Sequence, residues 1–331
     1  MSSIRGNHIY ISITGASHAP SIGVELEGIP AGHNIDLEQL QSFLNRRAPG
    51  QGAHTTARKE ADIPEFQSGL SDGITTGEVI NAIIRNTDVR SRDYEKLRDI
   101  PRPGHADFAA RMKYGDQVDL RGGGIFSGRM TAPLCIAGGI ILQILAEEGI
   151  TIETEIREIG GKADNLYETI AEAKAAGDSV GGIIGCTVKG LPAGIGGPLF
   201  DGVENKISQI VFAIPAVKGI EFGRGFDAAR IRGSENNDAF YFDGDQIKTR
   251  TNNHGGILGG ITSGMPLTFN VAIKPTPSIA MEQDSISYSK GENVKLQIDG
   301  RHDPCIVPRA LPCVEAAAAI AIYDLMRGAI V

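Results

Sequence analysis

The sequence predicts an α+β fold in which antiparallel sheets carry helices packed on one face. Three observations lead there. Leu267, Phe269, Val271 and Ile273 alternate with polar residues, the pattern of a strand with one face on a core and the other toward water. Two long stretches, 131–148 and 309–327, are apolar over helical lengths. Glycine accounts for 43 of 331 residues, about 13% against a usual ~7%. It falls in clusters between patterned segments, which calls for tight turns and close backbone approaches.

The elements follow in order. Ile9, Ile11 and Ile13 make 8–14 a half-buried strand, and 22–27 pairs with it across a turn at 15–21. A helix starts at Asp36, with Gln39 three residues on and Leu37, Leu40, Phe43 and Leu44 along one face. Pro49-Gly50 cannot extend it, so Arg46 and Arg47 fall in its last turn. A second helix is expected at 77–85. A third, over 131–148, carries Leu134, Ile141, Ile144 and Leu145. Ile150, Ile152 and Ile156 suggest a strand, 164–176 a helix rich in Ala and Glu, and 181–189 another strand. The same succession of strand, helix and strand is expected to recur around 203–223. An Ala-rich helix closes the chain over 309–327, after Pro308. Residues 284–291 are expected to form a mobile loop. There is no short repeat and no low-complexity linker.

The formal net charge of −8 excludes a global attraction to nucleic acid or to an anionic membrane. An anion site must therefore be a local cluster of cations. The sequence shows neither an 18-residue apolar run nor a basic-then-apolar leader, so neither a membrane span nor a signal peptide is expected. Cys135, Cys186, Cys305 and Cys313 lack Cys-x-x-Cys spacing; they read as buried, reduced thiols of a cytoplasmic protein without a metal site.

Five segments combine glycine with Arg, Lys or His: Arg102-Pro103-Gly104-His105-Ala106-Asp107, Arg121-Gly122-Gly123-Gly124, the run 252–260, Lys274-Pro275-Thr276, and Gly300-Arg301-His302-Asp303-Pro304. Glycine lets backbone approach an anionic ligand, and arginine binds phosphate or carboxylate bidentately. Arg46, Arg47, Arg102, Arg121, Arg129 and Arg301 are the candidate anion clamps. His105 sits in a turn and His18 follows the first strand, in Gly15-Ala16-Ser17-His18-Ala19. Either imidazole can act as a general acid near neutral pH, and either can equally be a surface histidine. Asp303 before Pro304 is a catalytic candidate or a plain turn former. The chain contains no Walker loop, no Gly-x-Gly-x-x-Gly opening a helix after a strand, no Gly-x-Ser-x-Gly elbow and no paired-histidine metal motif.

Taken in order along nearly the whole chain, these segments resemble the chorismate synthase family. Also matching are Arg46-Arg47-x-Pro49-Gly50, 86–94, Ala216-Val217-Lys218-Gly219 and Gly233-Ser234-x-x-Asn237-Asp238. The resemblance implies one domain over 1–331, a sandwich of antiparallel sheets with helices on the outside, and a homotetramer. It implies a lyase of aromatic amino acid biosynthesis (the shikimate pathway). The reaction is 1,4-elimination of phosphate from 5-enolpyruvylshikimate 3-phosphate to give chorismate, with reduced FMN (FMNH2). By the same resemblance His18 and His105 are the acids serving the flavin and the leaving phosphate, and Asp303 assists proton removal. Arg46, Arg47, Arg102, Arg129 and Arg301 bind the substrate. Arg121, Ser127, Ala216, Gly259, Lys274, Pro275, Thr276, Pro277, Ser278 and Arg301 contact FMN. NADP belongs to the family's associations; with no dinucleotide fingerprint, an external reductant is expected here.

The chain departs from the family pattern at several positions. Ala16 stands for a usual Glu, Ala19 for Gly and Ala53 for Arg, while Ile125 and Phe126 follow the glycine run where Arg-Ser is usual. Compensation by His54 or Arg58 is one outcome of that change. The alternative reading is an FMN- or ligand-binding homologue with little or no lyase activity.

Overall fold

The computed structural model describes residues 2–50, 60–87, 95–298 and 303–328. Strands β1 (Ser2–Arg5), β2 (Tyr10–Gly15) and β3 (Ser21–Glu27) open the fold, followed by helix α1 (Leu37–Arg47). Then come β4 (Glu65–Ser68), the short β5 (Leu70–Ser71) and β6 (Ile74–Thr75), β7 (Ile80–Arg85), α2 (Glu95–Asp99), α3 (Asp107–Tyr114) and α4 (Thr131–Glu147). The next stretch holds β8 (Thr151–Ile159), α5 (Leu166–Ala175), β9 (Gly182–Lys189), β10 (Ala193–Gly196), α6 (Val203–Val211) and β11 (Val217–Phe222). The chain ends with α7 (Gly233–Asn236), β12 (Phe240–Asp243), β13 (Gln246–Thr249), β14 (Ile257–Leu258), β15 (Ile261–Ser263), β16 (Leu267–Ile273), β17 (Gln283–Ser287), β18 (Glu292–Leu296) and α8 (Val307–Arg327). Two larger sheets result, ordered β1-β2-β3-β7-β4 and β11-β16-β9-β8, and every pairing in them is antiparallel.

The α+β class and the antiparallel sheets are as expected, but the principal helices lie inside. Helix α4 packs on β2, β3 and β7 of the first sheet, α8 on β8 and β9 of the second, and the two helices pack on each other. Helices α1 and α6 join this layer against α8. The reason is composition: α4 and α8 are apolar or small nearly all round, with 131–141 and 312–325 buried without a break. An exposed helix keeps a polar face, and these have none. At their crossing a Cβ on Gly138 would stand 2.4 Å from Ala316 Cα, so only glycine permits that approach. The core cluster runs from Ile9 to Leu325.

Four further expectations are corrected. Residues 80–85 are strand β7, not helix: Ile80, Ala82 and Ile84 are buried and alternate with less buried neighbours, and its β-branched side chains suit a pleated surface. The expected loop at 284–291 is mostly a hairpin of β17 with β18. It is pinned by Asp99, which accepts from Ser287 Oγ at 2.6 Å and from Ser289 N at 2.7 Å. Around 203–223 the helix and second strand form, while the preceding strand, β10, lies earlier. Finally, the segment Gly128–Glu147 is long and apolar enough to cross a membrane; 72% of it is buried between the layers of the protein.

The caps behave as anticipated. Asp36 accepts from Glu38 N and Gln39 N at 2.9 Å each, satisfying two orphan donors at the start of α1. At the far end of the chain, buried Asp324 on α8 accepts from Asn7 N, His8 N and Ile9 N at 2.9, 2.7 and 3.1 Å. It thereby ties the β1–β2 turn to the last helix.

Candidate active site

The glycine run forms a 3-10 turn over Arg121–Phe126, ahead of α4, in which Gly122, Gly123 and Gly124 have φ of 60°, 88° and 55°. Such values favour glycine on backbone grounds alone. Space adds a second reason. A Cβ on Gly122 would lie 2.1 Å from His18 Cε1, and one on Gly123 would lie 3.3 Å from His105 Nε2. The turn is stitched to the β2–β3 connection by Ser17 N donating to Gly124 O at 3.2 Å. Two imidazoles from distant segments therefore meet on consecutive glycines.

His105 is held from behind. Its Nδ1 lies 2.5 Å from Asp107 Oδ1, so that nitrogen carries a proton and Nε2 faces Gly123. Asp107 also receives Arg102 Nε and NH2 at 2.7 and 2.8 Å and Arg102 N at 3.0 Å. Burial alone would raise the Asp107 pKa; the hydrogen bonds and charge of Arg102 and His105 overcome it and hold the carboxyl well below the ordinary range. Arg102 reaches on to Ser278 Oγ at 3.4 Å.

A second cation group gathers where α1, α4 and α8 begin or end. Arg47, only 2% exposed, pairs with Asp62 at 2.7 Å and donates to Gly128 O and Thr131 Oγ1 at 3.3 Å each. Arg129 pairs with Asp62 and with Glu60, the latter at 3.1 Å, and donates to Asn86 Oδ1 at 3.1 Å. Arg309 pairs with Asp303 and donates to Arg47 O at 3.0 Å. Burial works against all three charges. It prevails at Arg129 and Arg309, whose pKa values fall, aided by the nearby charge of Arg47. At Arg47 burial is again the largest single effect, but Asp62, Cys313, Cys135 and Glu60 together outweigh it and the pKa rises.

Both groups open on one cavity of about 580 Å³, within the roughly 300–1,000 Å³ of small-molecule sites. Its walls include Arg47, Arg102, His105, Ser127, Arg129, Ala216, Lys274, Thr276, Pro277, Ser278 and Asp303 from the sequence reading. Apolar surface comes from Ile125, Phe126, Ala213, Ile214 and Ile306. Lys274 donates to Gly104 O; burial, and then Lys218, lower its pKa.

Other expected site residues lie elsewhere. His18 stands behind Gly122, which itself lines the cavity. Arg46 is turned away into a bidentate pair with Glu315, both contacts 2.7 Å. Arg121 is paired with Asp119 at the surface, Pro275 is not a wall residue, and Gly259 lies in the β14–β15 turn away from it. Arg301, Ala53, His54 and Arg58 lie outside the described residues.

Sequence reasoning missed Arg309, Asp107, Asp62, Glu60 and Cys313. Arg309 did leave a signal, because it sits in the first turn of α8, where the helix dipole disfavours a cation. The acids pair with cations far away in sequence or belong to a motif read for its histidine.

The fold presents a cavity of small-molecule size walled by an imidazole and several arginines, the architecture of an enzyme site for a small molecule. The chorismate synthase family profile matches residues 9–326. The chain is 47% identical to the chorismate synthase of Chitinophaga pinensis over 321 residues, covering 97% of this chain and 95% of that protein. It is 43% identical to that of Dehalococcoides mccartyi over 351 residues (98% and 96% covered). It is 42% identical to that of Korarchaeum cryptofilum over 357 residues (99% of each). A solved structure described as the crystal structure of chorismate synthase superposes with a TM-score of 0.75 at 27% identity, covering 97% of this chain and 92% of that one. The chain belongs to the chorismate synthase family, and is a lyase.

Proposed function

We propose that this chain converts 5-enolpyruvylshikimate 3-phosphate to chorismate by 1,4-elimination of phosphate, with reduced FMN in the same cavity. The observation that carries the reading is the meeting of His18 and His105 on Gly122 and Gly123, beside a cavity walled by Arg47, Arg102, Arg129 and Lys274. The substrate carries a phosphate and two carboxylates. An acidic protein must supply local cations for it, and their burial strengthens each contact.

The residues present fit a flavin nucleotide. The buried Thr276 hydroxyl, in the cavity wall, makes no hydrogen bond among the described residues, and Lys274 stands beside it as a cation for a phosphate. Ala213, Ile214 and Ile306 offer apolar surface for a ring system. When bound, the reduced flavin supplies electron density as the C–O bond breaks. His105, with Nδ1 engaged by Asp107, presents Nε2 as the proton donor to the departing phosphate, a contribution of about 10²–10⁴-fold in rate. His18 holds a proton on the other side of the glycine turn. Asp303, aligned by Arg309, accepts a proton from the substrate carbon. Ser127 caps the turn Gly128–Met130 through its bond from Arg129 N at 3.2 Å, so its hydroxyl is fixed at the cavity edge.

A second reading, a ligand-binding homologue without turnover, is favoured by one observation: Ile125 and Phe126 present apolar wall where the family has a cation and a hydroxyl. Anaerobic incubation with reduced FMN and the substrate separates the two. Phosphate release is expected, with His105→Ala and His18→Ala each reducing it at least tenfold without unfolding; flavin binding without release would establish the second reading. The proposal extends to one domain over the whole chain, supported by a main core whose residues run from Ile9 to Leu325, and to a cytoplasmic homotetramer. Leu199 and Phe200, 81% and 85% exposed, support assembly, which light scattering would measure.

A further inference from the structure

Beneath the cavity lies a pair of thiols that the proposed reaction does not use. Cys313, on α8, lines the cavity floor, and Cys135, on α4, is its neighbour, with the two sulfurs 3.8 Å apart. Both are reduced and buried. They occupy equivalent places one helical turn before Gly138 and Ala316, where α4 and α8 pack closely. The two sulfurs are already in contact across the helix pair, and a disulfide requires them to close to about 2.05 Å by side-chain rotation. Cys186 and Cys305 have no such partner among the described residues.

The two thiols are not equivalent. Cys135 donates to Cys313, and this hydrogen bond, then that of Thr131 and the charges of Arg47 and Arg309, bring the Cys313 pKa down to about 7 against the effect of burial. Burial pushes the Cys135 thiol well above its ordinary value. A thiolate among cations at a cavity wall is the environment of a reactive cysteine.

We infer that Cys313 and Cys135 form an oxidative modification site, in which a peroxide entering the cavity converts them to a disulfide joining α8 to α4. The Cys313 thiolate attacks one oxygen of hydrogen peroxide; an S–O bond forms, the O–O bond breaks, and the other oxygen leaves as water after taking a proton. Cys135 then loses its proton and attacks the Cys313 sulfur. The S–S bond forms, the S–O bond breaks and a second water departs. Two thiols are oxidised by two electrons and one peroxide is reduced to two waters. The inference stands apart from the proposed reaction, since its readout is mass and not turnover.

The test treats the reduced full-length chain with excess hydrogen peroxide, alkylates it with iodoacetamide after denaturation, and digests it with trypsin. The expected product is the 130–157 peptide joined to the 310–327 peptide, two hydrogens lighter than their sum, with Cys186 and Cys305 alkylated. In Cys135→Ala the Cys313 sulfenic acid persists and is captured by dimedone. In Cys313→Ala the cross-link is lost and Cys135 stays reduced at least tenfold longer than in the parent chain. The inference is overturned if both cysteines of the parent chain remain fully alkylatable. It is equally overturned if Cys135 in the Cys313→Ala chain oxidises at the parental rate.

Discussion

Replacing Gly122 by alanine tests whether the glycine turn exists to accommodate His18. Two effects are separable. The backbone at Gly122 has φ of 60°, where a Cβ costs about 1–2 kcal/mol. The new methyl would also sit 2.1 Å from His18 Cε1 and 2.8 Å from Ser17 Oγ. Ordinary carbon contacts are about 3.6 Å, so the ring must retreat by roughly 1.5 Å. A displacement of about 1 Å at a reacting group can cost about 100-fold in rate. Gly149→Ala supplies the control: its φ is 79°, but nothing lies within 4 Å of its Cβ position, so it carries backbone strain alone. Chemical denaturation reads the first effect in both variants, and phosphate release with reduced FMN reads the second. Both variants should unfold about 1–2 kcal/mol more easily than the parent chain, while only Gly122→Ala should also lose about 100-fold in turnover. Turnover within threefold of the control, in a folded Gly122→Ala chain, would refute the argument that this glycine makes room for a working imidazole.

Two further perturbations probe the frame around the site. Asp324→Ala leaves three backbone N–H groups without their carboxylate and should cost about 3 kcal/mol or more, since bonds to a charged acceptor contribute about 1.5–3 kcal/mol each; a loss under 1 kcal/mol in urea unfolding would count against this tie. Asp107→Asn breaks a buried pair with Arg102 and should cost about 3 kcal/mol at neutral pH. Because the folded pKa of Asp107 is depressed, that stability is fully present above the unfolded carboxylate value of about 4 and is lost as pH falls through the lower folded value. The gap between parent and variant should therefore hold from pH 7 to about pH 4 and narrow only below it; a gap that closes above pH 5 contradicts the assignment.

Much of this architecture was legible locally, and the failures have local causes too. Asp36 could be read as a cap because its partners are two and three residues away. The strand of 267–273 was legible because strict alternation has no helical counterpart. Residues 80–85 failed that test: Ile80, Ile83 and Ile84 satisfy a helical i, i+3, i+4 spacing while Ile80, Ala82 and Ile84 satisfy a strand. Only pairing with β3 and β4 decides between them. The outer placement of the helices came from the family resemblance, whereas the burial of α4 and α8 rests on small residues such as Gly138 and Ala316 that let helices pack closely on both sides. At the site, the histidines and most wall residues came from glycine-bearing segments that announce themselves. Arg47 and Arg129 were found, but their acids, Asp62 and Glu60, were not, since no spacing rule links 47 or 129 to 60–62.

The internal acids change how the departures from the family pattern weigh. Arg47, Arg102, Arg129 and Arg309 each hold a carboxylate of this chain, so an incoming anion joins existing pairs instead of meeting bare charge. Each buried arginine is thereby kept in place before the ligand arrives, which lowers the ordering cost of binding. Against that background, Ile125 removes a cation from a position that is 45% exposed. Charges so placed are screened, and their pairs contribute about 0–1 kcal/mol. The 2–5 kcal/mol that follows from stripping a buried ion of its partner does not apply there. Phe126, packed against Tyr114 with ring centroids 6.3 Å apart, adds apolar surface to the cavity wall. Apolar lining strengthens the charges of the buried Arg47, Arg102 and Arg129 and of the half-buried Arg309. The exchange of Arg-Ser for Ile-Phe thus gives up a weak contact and leaves the strong ones in place, which favours the proposed reaction over the reading without turnover.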